Sequence, residues 1–80
     1  MAGVAKEQAD LEKAEQDLRD GEARIAHQRG LIDELRRDGH DTLDAEKLLW
    51  TLQQSLDIWK SHRDTIRTLL AEAKKRAKAE

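Results

Sequence analysis

Apolar residues recur along this chain at a period that no strand can use. Val4, Leu11, Leu18, Ile25 and Ile32 follow one another at intervals of seven, and offset from them by three come Glu7, Ala14, Gly21, Gln28 and Leu35. This is the a/d alternation of a heptad, strong at a and weak at d. In the second half, Ala45, Leu49, Leu52, Leu56, Trp59, Arg63, Ile66, Leu70, Ala73 and Ala77 are separated by alternating steps of four and three, with Arg63 the only residue that is not apolar. Strand side chains change face at every residue, so a 3.5-residue period specifies helix. The pattern predicts one domain over residues 1–80: a first helix over about 4–38, a turn at 39–41, a second helix over about 42–77 and a frayed basic tail at 78–80.

The polar stretch between the two runs, Asp38-Gly39-His40-Asp41-Thr42, has the chemistry of a bend. Gly39 can take the left-handed conformation that ends a helix, because it has no Cβ to clash. Asp41 or Thr42 can cap the free N–H groups of the next helix. Asp44 stands three residues after Asp41, the spacing of a capping box, and Asp44 and Glu46 suit the positive end of the helix dipole. A loop this short makes the helices antiparallel neighbours.

The expected fold is therefore all-α: an antiparallel two-helix coiled-coil hairpin. Its seam is built from Leu11, Leu18, Ile25, Ile32 and Leu35 on the first helix and Leu49, Leu52, Leu56, Trp59, Ile66 and Leu70 on the second. Residue i should face roughly residue 80 − i. Gly21 would then lie opposite Trp59, where its missing side chain makes room for the indole, and Asp17 and Leu18 would approach Arg63 and give it an acidic partner.

Charge supports the same pairing. Residues 1–22 carry three basic and seven acidic residues, against seven basic and three acidic over 58–80. Residues 23–37 carry four basic and two acidic, against one basic and four acidic over 41–57. Folding at Gly39 lays opposite signs side by side. Each exposed pair contributes only about 0–1 kcal/mol, but the collective pattern penalises the parallel alternative.

Two helices make a thin seam that water reaches from both flanks, and the second helix carries more apolar surface than one partner can cover. Leu48, Ile58 and Leu69 lie on one flank, interleaved with Ser55, His62 and Thr65, while Leu43 and Trp50 point further out and Leu31 adds to the first helix. Exposed apolar patches mark contacts. A second copy would complete a four-helix bundle with two-fold symmetry, its outer contact made by Leu43, Trp50, Ile58 and Leu69. The expected partner is another copy, or else another helical protein. A His62 buried between copies would make assembly sensitive to its protonation.

Composition narrows the chemistry. Charged residues make up 40% of the chain, and there is no Cys, Pro, Phe or Tyr, so disulfides and thiol chemistry are excluded. No apolar run approaches the roughly 20 residues that span a bilayer. The start MAGVAKEQADLEK lacks the basic and apolar regions of a signal peptide, and a soluble cytoplasmic protein is expected. His40 with Asp38, Asp41 and Asp44 has metal-site and acid–base residue types, but helix capping accounts for each of them on an exposed turn. His27 lies on the face opposite the Leu/Ile stripe, out of register with His62, and Ser61 and His62 are helical neighbours that point apart. No catalytic, cofactor-binding or metal residues are expected, nor any small-molecule substrate or membrane association, because a hairpin offers no enclosed cleft.

The basic cluster Lys74, Lys75, Arg76 and Lys78 supports a competing reading, a small nucleic-acid-associated protein using its C-terminal end. Cations also suit a helix C-terminus, no aromatics interleave to stack on bases, and the net charge is −2. Nucleic acid is therefore not the expected partner. The first reading is a non-enzymatic protein–protein interaction or structural module that self-associates through helical faces.

Several residues carry a resemblance. The stretch Ile25-Ala26 with Gln28-Arg29, the bend Arg37, Gly39, His40, Asp41 and Thr42, the pair Leu48-Leu49 and the pair His62-Arg63 together resemble a group of small uncharacterised helical-hairpin proteins of alphaproteobacteria, notably rhizobia, that carry an R-x-G-H-D-T bend. The similarity spans roughly residues 21–66, and the bend is its most specific part. It implies a bacterial origin and a helical hairpin, and no reaction.

Overall fold

A computed structural model describes the backbone of residues 2–79 and the side chains of residues 4–78. Two helices account for it: α1, Ala2–Arg37, and α2, Leu43–Ala79. They pack antiparallel into a rod of 65 × 15 × 13 Å with a radius of gyration of 18.3 Å. A globular chain of this length would have a radius of about 12 Å. No residue can lie far from water in so slender a body, and the core is correspondingly a single line of side chains.

That line follows the heptads. Ala14, Leu18, Ile25 and Ile32 of α1 and Ile66 and Leu70 of α2 are buried. Leu11, Leu35, Leu49, Leu52 and Leu56 are half-buried. Gln28, at a d position, is also buried at 6% exposure, and its Nε2 donates to the Ala45 carbonyl at 2.9 Å. The amide thus ties the last third of α1 to the first turn of α2, and burial there carries a made hydrogen bond. Glu7 sits at another d position and has a buried Oε2 with no hydrogen-bond partner.

The bend is a Schellman motif. Gly39 has φ +75°, its N–H bonds the Arg36 carbonyl at 3.1 Å, and the His40 N–H reaches back to the Leu35 carbonyl at 2.8 Å. The Thr42 carbonyl then accepts the first bond of α2 from the Glu46 N–H, and Asp41 Oδ1 accepts from the Leu43 N–H at 3.0 Å. Asp41 therefore supplies the side-chain cap and Thr42 the backbone start. Asp44 makes no hydrogen bond back to Asp41 among the described residues, so the expected reciprocal box does not close: its side chain is one methylene shorter than the usual Glu. An Arg36–Glu46 ion pair spans the two helix ends across the bend.

Three expectations change. α2 continues to Ala79, so Lys78 is helical rather than frayed, and Glu80 lies outside the described residues. Trp59 does not fill the seam: it remains 46% exposed. The atom that uses the space over Gly21 is Leu56 Cδ1, which would lie 3.1 Å from a Cβ added there. With that place taken, the bulky indole leans onto the flank, edge-on to the His62 ring at 6.5 Å and 83°. Finally, Arg63 pairs with Asp64 beside it at 3.0 Å, while Asp17 pairs with Lys13 at 3.3 Å. Each acid is nearer to a cation on its own helix than across the seam.

Candidate functional site

The contacts Gln28–Ala45 and Glu15–Arg67, with the approach of Gly21 to Leu56, fix the register of the two helices. In heptad terms, Leu49, Leu56, Arg63 and Leu70 are a positions of α2, and Leu52, Trp59 and Ile66 are d positions. The side chains beside this seam fall on two flanks, and the flanks differ in chemistry.

One flank is ionic. Glu15, Arg19 and Glu22 of α1 face Arg63 and Arg67 of α2 across a shallow groove of about 210 Å³, and Arg67 reaches Glu15 at 3.5 Å. Both members of that pair are well exposed, so it contributes little beyond selecting the partner.

The other flank is largely apolar along α2. Leu48 and Leu52, with Ala23, Arg24, His27 and Gln28, line a groove of about 420 Å³. The same flank continues through Ser55 and Trp59 beside Asp17, Asp20 and Gly21. In α2 its positions are g and c: Leu48, Thr51, Ser55, Ile58, His62, Thr65 and Leu69, again separated by alternating steps of three and four. None is charged, in a chain that is 40% charged. The charged residues between Leu48 and Leu69 are Asp57, Lys60, Arg63, Asp64 and Arg67, and all of them occupy a, b or e positions on the opposite half of the helix.

The four residues expected in an outer contact therefore separate. Ile58 and Leu69, 70% and 45% exposed, stand on the uncharged stripe with Leu48 and beside Trp59. Leu43 and Trp50, 54% and 64% exposed, are b positions on the ionic side, roughly a quarter-turn from Ile58. Heptad phase, tracked outside the seam as well as within it, is the signal that distinguishes these two groups. Gln28 was the other hidden participant. Its d position was the cue, and a long amide there can reach a helix N-terminal carbonyl.

His40, Asp38, Asp41 and Asp44 are exposed around the bend, and His27 and His62 are exposed on the flank. Among the described residues no group of three or more His, Asp or Glu side chains is placed to hold a metal ion. No helix among them is long and apolar enough to cross a membrane. Lys74, Lys75, Arg76 and Lys78 are exposed; Lys74 and Lys78 stand one turn apart with Lys75 beside them, and Arg76 points to another side of α2. Comparison with protein-family models, with curated proteins and with solved structures gave no match for this chain.

Proposed function

We propose that this chain is a non-enzymatic interaction module that works by self-association, laying the uncharged flank of α2 against a second copy to form a dimeric four-helix bundle. The observation that carries the reading is the segregation of charge: from Leu48 to Leu69 every Asp, Lys and Arg lies on one half of the helix, and the exposed Leu48, Ile58, Trp59 and Leu69 lie on the other, with Trp50 the one exposed large apolar side chain among the charges. A solvated helix gains nothing from such sorting, whereas a helix with two partners needs it. The lack of cysteine fits work in a reducing, cytoplasmic setting.

Sedimentation equilibrium over a range of loading concentrations tests the reading. The expected result is a mass twice the 9.2 kDa of one chain, dissociating only on dilution. A mass of one chain at every concentration would remove self-association.

A further inference from the structure

The uncharged stripe has an internal symmetry. About Ile58 its order nearly mirrors itself: Leu48, ten residues before, balances Leu69, eleven after, and Thr51 balances Thr65 at seven on each side, while Ser55 stands against the larger His62. We infer that two copies meet around a two-fold axis at Ile58, with α2 antiparallel to its counterpart, so that Leu48 of one copy packs on Leu69 of the other and Ile58 packs on itself. An isologous contact requires a surface complementary to itself under a half-turn, and a half-turn perpendicular to the rod lays stripe on stripe with the two α2 helices antiparallel. A half-turn along the rod would instead set the uncharged stripe of one copy on the α1 flank of the other, which carries Asp17, Asp20 and Arg24.

The α1 side of the same flank supplies the independent argument. The register places the α1 residue opposite Ile58 near Asp20 and Gly21, both of which line the groove with Trp59. A half-turn about that point carries Asp17 onto Arg24 of the other copy and Lys6 onto Glu34, opposite charges in both cases, while Lys13 falls on His27 and Asp10 on Leu31. Asp20 approaches its own mate, with Arg24 one turn away on each copy. Asp44 and Glu72, each fourteen residues from Ile58, then bring like charges together at the exposed ends of the stripe. All four neighbouring helix pairs are then antiparallel. From Leu48 to Leu69 the stripe runs about 30 Å along the rod at 1.5 Å per residue, roughly half of its 65 Å length.

This inference rests on the self-association proposed above, and the experiment separates the two. The chain has no cysteine, so single replacements report cleanly. Under mild oxidation Ile58→Cys should form a linked dimer at least tenfold faster than Asp57→Cys or Trp50→Cys, which lie off the stripe. Leu48→Cys mixed with Leu69→Cys should link to each other in preference to themselves. Ile58→Lys should halve the sedimenting mass while leaving helical content unchanged, because this side chain is 70% exposed in the single chain. A parent protein of single-chain mass overturns both proposals. A dimeric parent in which Leu48→Cys links chiefly to itself, or in which Ile58→Cys is no faster than Asp57→Cys, overturns this arrangement alone.

Discussion

Replacing Gly21 and Gly30 by alanine separates the intrinsic preference of α1 from its packing. Both glycines lie within the helix, and an interior glycine costs about 1 kcal/mol relative to alanine, mainly through backbone entropy. A Cβ at Gly30 would meet nothing within 4 Å. Gly30→Ala should therefore gain the full amount, raising the melting temperature by roughly 4–8 °C for a chain of this size. A Cβ at Gly21 would lie 3.1 Å from Leu56 Cδ1, inside ordinary van der Waals contact. The leucine must shift by a few tenths of an ångström, and overpacking of this kind takes back much of the gain. Gly21→Ala should gain less than about 0.5 kcal/mol. Removing the obstacle with Leu56→Ala should restore a gain of about 1 kcal/mol for Gly21→Ala in that background, a coupling measurable in a double-mutant cycle. Urea melts followed by circular dichroism at one fixed protein concentration provide the comparison. Equal gains at the two glycines in the parent background would refute the close approach of α2 at this point.

Other substitutions address separate parts of the hairpin. Leu18→Ala and Ile66→Ala, at buried seam positions, should each cost roughly 2–4 kcal/mol in the same melts, and a loss below about 1 kcal/mol would contradict their burial. Gly39→Ala, at φ +75°, should cost about 1–2 kcal/mol, with Gly39→Asn intermediate; equal stability of all three would contradict a left-handed bend. Gln28→Ala should lose about 1–2 kcal/mol by deleting the bond to Ala45, whereas Glu7→Leu should gain about 1 kcal/mol by removing a buried oxygen that has no partner. The opposite signs at two polar d positions are read from denaturation midpoints, and a matching sign would undo that distinction.

Much of the fold was legible because the periodicity is long and uninterrupted. The a positions from Leu11 to Ile32, the glycine bend and the cap at Asp41 each follow from a local rule, and the structure has the helix bounds within two residues of those the pattern implies. What sequence left open was decided by competition between neighbours. Spacing alone makes Trp59 a seam residue, but the volume over Gly21 holds one side chain, and Leu56 takes it. Arg63 has acids on both helices within reach, and the adjacent Asp64 costs less side-chain ordering than one across the groove. The outer apolar residues were visible as a set, yet their division into a stripe with Ile58 and an offset pair with Trp50 needed the seam to be fixed first.

The near-equal lengths of the two helices, 36 and 37 residues, have a topological consequence. Ala2 and Ala79 emerge together at one tip of the rod, with the Schellman corner alone at the other. A few flexible residues would bridge that gap and turn the polypeptide into a ring, and cutting the ring at His40 would yield a circular permutant in which both helices survive whole. Such a molecule should melt close to the parent, since the corner would then contribute connectivity and little else.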